Sequence, residues 1–223
     1  MRRLAPWIAC ASILFSVVAV VVGQLVPDPQ LDPLNVTISE YAVSDRGGAS
    51  RRSRWRCWAS GRWRCCWACG RRGAPVRGWP ERLLMVWSGA LMVAAVIPTT
   101  PIGQDLDLAA QIHRYVSVAA FVSLPAAGAL LVPRLGQDAA WKPVARAVEW
   151  VSLAGGFGLL AITYVALPGE RVMIGLVERL LLGAEVALLA VLAGWLVRLA
   201  WQRGPSRKAI NFPTYHRFIA SRS

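Results

Sequence analysis

Eight side chains stand out for the chemistry they could share. Glu178 and Arg179 are consecutive, and Glu185 follows Glu178 by seven residues. On a helix that spacing puts both carboxylates on one face. His113 and Arg114 are adjacent, and the chain has only one other histidine, His216. Asp32, Glu40 and Asp45 lie in a polar stretch nearer the N-terminus. A carboxylate–histidine–arginine cluster could bind a head group or relay protons. The alternative is that these residues pair to lock helix ends and loops together. No nucleophile–base triad can be assembled around His113, and no cofactor is called for.

The elements that must position these groups are apolar. Hydrophobic residues make up 56% of the 223-residue chain, and its mean hydropathy is +0.44. Soluble domains sit near about 45–50% apolar. The excess falls in blocks, and runs of about 18 or more apolar residues read as membrane spans. Five such runs are expected, at 7–26, 83–97, 115–132, 148–167 and 176–200. Pro125 lies inside the third, where neighbouring helices can re-satisfy the backbone. Gly155, Gly156 and Gly158 in the fourth permit close helix contact. Glu185 stands about 14 Å along the last run from Leu176 at 1.5 Å per residue. That depth is near mid-bilayer, so Glu185 needs a buried partner or a proton. His113 and Arg114 stand at the outer end of the 115–132 run. The first run follows Arg2 and Arg3 and competes with a signal peptide. At about 20 residues without a clear small-x-small site, it reads better as an uncleaved span.

The net charge of +13 suggests nucleic acid at first. However, ten arginines fall between Arg51 and Arg82, together with Cys57, Cys65, Cys66 and Cys69. Interleaved Arg and Trp there suit an anionic lipid surface better than nucleic acid, which is set aside as a partner. Cys66-x2-Cys69 has the spacing of half a zinc site. The other cysteines are irregularly spaced and both histidines are remote, so no metal is expected.

Loop charge tests the orientation, because cytoplasmic loops are enriched in Lys and Arg. The loop carrying Asp105 and Asp107 belongs outside. The loop carrying Arg134, Lys142 and Arg146 belongs inside, as does the basic tail at 201–223. Working backward, the 83–97 run starts inside, whereas the first run leaves the chain outside. One crossing is missing, and it falls in 49–70. As written, that segment cannot span stably, since each central arginine costs about 2.5–3.5 kcal/mol. The genetic code offers an explanation. Reading the third base of each codon with the first two of the next, in a GC-rich gene, turns 62–70 into Leu-Ala-Leu-Leu-Leu-Gly-Leu-Arg. We therefore expect that about 49–72 is translated out of frame.

Three segments carry a family resemblance: Asp32-Pro33-Leu34-Asn35-Val36-Thr37-Ile38-Ser39-Glu40-Tyr41-Ala42; His113-Arg114-Tyr115 with Phe121 and Leu124-Pro125; and Gly175-Leu176-Val177-Glu178-Arg179-Leu180. Together they resemble the bacterial and archaeal membrane proteins grouped as domain of unknown function 998, over about residues 7–199. The resemblance implies six helices and brings no activity, substrate or cofactor. In similar proteins an apolar helix follows Asp45-Arg46-Gly47, where this chain departs.

The resulting expectation is an all-α polytopic bundle in the cell membrane, with five clear spans, a disrupted sixth and both termini cytoplasmic. Its partners are the lipid bilayer and a lipid or small-molecule ligand. A structural or binding role leads. A membrane enzyme acting on lipid through His113 with Asp45 or Glu178, and a proton-coupled transporter using Glu185, are the alternatives.

Overall fold

The computed structural model describes residues 32–40, 75–97, 99–100 and 107–202. The expected run at 7–26, the segment at 49–70, Asp45 and most of the tail lie outside the described residues. Among the described residues four long helices are present: α1 (Trp79–Val96), α2 (Leu108–Gln137), α3 (Lys142–Ala166) and α4 (Ile174–Gln202). Residues 38–40 begin one further helical turn. Among the described residues there is no strand, in line with the all-α expectation.

Local chemistry sets the helix starts. Pro80 and Pro143 occupy first turns, where a missing N–H has no intrahelical partner to lose. Asp107 caps α2 by accepting the Ala110 N–H at 2.7 Å. This cap starts α2 seven residues before its apolar run, so α2, at 30 residues, is longer than α4 at 29. Gly78, at φ +90°, lets the chain turn into α1. The Arg134 guanidinium donates to the Arg77 carbonyl and ties that turn to the end of α2.

Among the described residues three helices, α2, α3 and α4, are long and apolar enough to cross a membrane. The expected count of five clear spans goes beyond these three, since 7–26 lies outside the described residues and α1 is shorter. That helix opens on Trp79-Pro80-Glu81-Arg82. Its uninterrupted part, 83–96, rises only about 21 Å at 1.5 Å per residue, against a hydrocarbon core of about 30 Å.

Small residues set the helix spacing. A Cβ at Gly128 would collide with the Ser152 hydroxyl and stand 2.9 Å from Leu188. A Cβ at Gly155 would stand 2.9 Å from Pro125, and one at Gly158 3.0 Å from Leu181. These pairings run antiparallel from α2 to α3 and from α3 to α4. Gly156, by contrast, faces open space. The core collects Ala120, Leu124, Leu131 and Leu135 of α2 around Val148 of α3, Leu188 of α4 and Trp87 of α1. The α1 and α4 backbones do not approach closely, but Trp87 reaches across and donates to Glu185 at 3.3 Å. Antiparallel order leaves two distinct ends. One gathers Ile97, Asp107 and the 167–173 loop. The other gathers Arg77, Arg134, Lys142 and Arg198.

Candidate functional site

At the first end, residues 32–40 lie across the start of α4. Asp32 organises the strap from within. Its carboxylate accepts the Leu34 N–H at 2.9 Å and the Asn35 side-chain amide at 2.6 Å. The same Asn35 side chain accepts the Met173 N–H at 2.8 Å through its oxygen, bridging strap and loop. The Leu176 N–H donates to the Leu34 carbonyl at 3.1 Å. Gly175 makes the contact possible, because a Cβ there would collide with the Val36 carbonyl and stand 2.6 Å from that of Pro33.

Thr37 and Glu40 form a reciprocal cap for the turn that starts at Ile38. The Glu40 N–H donates to the Thr37 hydroxyl at 3.2 Å, and the Glu40 carboxylate accepts the Thr37 N–H at 3.1 Å. Glu178, buried within α4, accepts the Ile38 N–H at 2.6 Å. A carboxylate here complements both the orphan N–H and the positive end of the turn. Arg179 fixes the other side. Its Nη1 donates to the carbonyls of Pro33 at 2.6 Å, Gly175 at 2.7 Å and Val36 at 3.1 Å.

Arg171 closes the strap with a 2.5 Å ion pair to Glu40. Burial pushes the Glu40 carboxyl up. The hydrogen bonds from Thr37 and Arg171, with the Arg171 charge, outweigh that and hold it below its ordinary value of 4.5. The loop that presents Arg171 is strained. Glu170, Arg171 and Met173 take positive φ of 48°, 63° and 59°, each costing on the order of 1 kcal/mol or more in a residue with a Cβ. That conformation aims Arg171 at Glu40 and the Met173 N–H at Asn35.

The expected cluster therefore divides. Asp32, Glu40, Glu178 and Arg179 come together around the strap. His113 sits at the same end, in the second turn of α2, where its Nδ1 lies 2.7 Å from the Ile97 carbonyl at the end of α1. Arg114 is exposed beside it. Glu185 lies deeper, 2% exposed, against Trp87. Asp45 is outside the described residues. The strap also depends on Asn35, Thr37 and Arg171. A Thr-x-x-Glu capping pattern at 37–40 marks two of its residues in the sequence. Among the described residues no group of histidines, cysteines and acids could hold a metal ion.

No curated protein and no solved structure matches the chain. Residues 9–195 match the family described as Protein of unknown function (DUF998), and the chain belongs to that family.

Proposed function

We propose that the chain is a polytopic cell-membrane protein of six crossings by design, with both termini cytoplasmic. In this reading it has a structural or ligand-binding role, the ligand being a lipid or a small molecule, and it is not an enzyme. One observation carries the role: Glu178, Arg179 and Asp32 are spent on holding the backbone of 32–40. The crossing number draws support from the two ends of the strap-to-α1 connection. Glu40 lies at the α4 start, whereas Arg77 meets Arg134 at the opposite end. An odd number of crossings between them agrees with the crossing that loop charge demands in 49–70. The orientation draws support from charge. Among the described residues one end carries Arg77, Arg82, Arg134, Lys142, Arg146 and Arg198 with Glu81, Asp138 and Glu149, a net +3. Among the described residues the strap end carries a net −2, and the positive end belongs in the cytoplasm.

Glu185 favours a second reading, proton-coupled transport, because a carboxylic acid buried in a spanning helix marks ion and proton paths. Sealed vesicles carrying the full chain separate these roles. The leading reading expects no head-group release from labelled phospholipid and no proton flux. Release that vanishes in His113→Ala overturns it in favour of the enzyme. Flux that vanishes in Glu185→Gln overturns it in favour of transport.

A further inference from the structure

The end of the bundle away from the strap repeats one arrangement on three helices. The Arg82 guanidinium lies over the Trp79 ring at 5.2 Å on α1. Arg146 lies over Trp150 at 5.8 Å on α3, and Arg198 over Trp195 at 5.0 Å on α4. Every Arg–Trp stack among the described residues is at this end. The arginines stand three or four residues from their helix ends, at Trp79, Lys142 and Gln202. At 1.5 Å per residue each is about 4–6 Å inside its own helix end.

The helix faces below Arg82 and Arg146 show what surrounds them. On α3, Arg146 heads a stripe of Trp150, Leu153, Phe157, Leu160 and Tyr164, spaced alternately three and four residues apart. The five residues below Arg146 are 48–69% exposed. On α1, Arg82 heads Val86, Val93 and Val96, all exposed. Such faces meet hydrocarbon in a membrane protein. A cation at the head of a hydrocarbon-facing stripe sits at the depth of lipid phosphate, and Trp prefers the same interface. The Arg146 side chain is 76% exposed, and its one acidic neighbour, Glu149 at 3.3 Å, is itself exposed. Stacking on tryptophan orients each guanidinium and leaves its edge donors for an anion.

We propose that this end is a girdle that binds anionic phospholipid head groups, with Arg82·Trp79, Arg146·Trp150 and Arg198·Trp195 as its three phosphate-binding pairs. The occupant is a lipid and not a protein, because the Arg82 and Arg146 pairs head exposed apolar faces that must be solvated by acyl chains. The proposal rests on the membrane reading above, and it names the lipid class that reading leaves open.

The test is native mass spectrometry of the full chain from vesicles of equal phosphatidylglycerol and phosphatidylcholine. Each cation near an anionic surface contributes about a fivefold bias, so wild type retains phosphatidylglycerol in clear excess. The triple variant Arg82→Gln, Arg146→Gln, Arg198→Gln loses at least about tenfold of that preference while still partitioning into vesicles with an unchanged melting temperature. Lys142→Gln, which removes a charge at the same end without a tryptophan, loses much less. Loss from Lys142→Gln equal to one third of the triple effect overturns the role of the pairs. An unchanged preference in the folded triple variant overturns the girdle itself. Failure of wild type to enter the vesicles would instead sink the membrane reading.

Discussion

Replacing Gly175 with alanine tests the strap most directly. The added Cβ would run into the Val36 carbonyl and lie 2.6 Å from the Pro33 carbonyl and 2.7 Å from Arg179 Nη1. Two of the three obstacles are backbone and cannot rotate away. Arg179 can move, but its Nη1 holds the Pro33, Val36 and Gly175 carbonyls. Overpacking of this kind costs about 1–3 kcal/mol, and each exposed hydrogen bond lost adds about 1 kcal/mol. A total of about 2–4 kcal/mol raises the undocked population by about 30- to 700-fold, at tenfold per 1.4 kcal/mol. Hydrogen exchange reads that change locally. Amides whose partners cross the contact, Ile38 to Glu178 and Leu176 to Leu34, exchange faster by that factor. Amides in the middle of α2 and α3 keep their protection, because the bundle core does not touch the strap. Unchanged exchange at Ile38 in a folded Gly175→Ala chain would refute the docking. Equal acceleration in α2 would show that strap and bundle open as one unit.

Two further outcomes follow from the same contacts. Gly128→Ala drives a methyl into the Ser152 hydroxyl and Leu188, which destabilises the bundle by about 1–3 kcal/mol. Thermal unfolding in detergent measures it, and the companion change Ser152→Ala recovers part of the loss. The Glu40 carboxyl is held below 4.5 in the docked strap, so its contribution is complete above the unfolded value. It fades as pH falls through the lower folded value. The protection factor at Thr37, corrected for the intrinsic pH dependence of exchange, should therefore fall on acidification below 4.5 in wild type, and Glu40→Gln should remove that fall.

What the sequence shows and hides follows from the range of each interaction. α2, α3 and α4 are legible because long apolar runs have few other uses. The Gly155 and Gly158 contacts are legible as small residues on an apolar helix, but the open position of Gly156 depends on helix rotation, which composition does not set. The loop at 168–175 looks neutral because Glu170 and Arg171 cancel in charge. Its hold on the strap comes from three positive-φ residues that present Arg171 to Glu40 and the Met173 N–H to Asn35, and no local propensity announces that strain. Glu178 and Glu185 do share a face, yet they meet partners 140 and 98 residues away. Heptad spacing gives the face and says nothing of the neighbour.

The segment between strap and α1 supplies a last, separable prediction. The stretch at 49–72 contains Arg54, Arg56, Arg62 and Arg64. At about 2.5–3.5 kcal/mol each near a helix centre, these oppose insertion by about 10–14 kcal/mol. The offset reading replaces them with leucine and alanine, and each leucine favours insertion by about 0.3–0.6 kcal/mol. The balance changes sign, so the two versions should behave oppositely in a host membrane protein. With a glycosylation acceptor placed beyond the segment, the offset version should cross the membrane and the written version should remain on one side. Equal insertion of both would remove the reason for supposing a shifted frame. The nucleotide sequence across codons 45–80 gives an independent check. A clean frame there, together with insertion of the written segment, would mean that its Arg and Trp residues reach both interfaces by snorkelling. In that case the sixth crossing would stand without any change of frame.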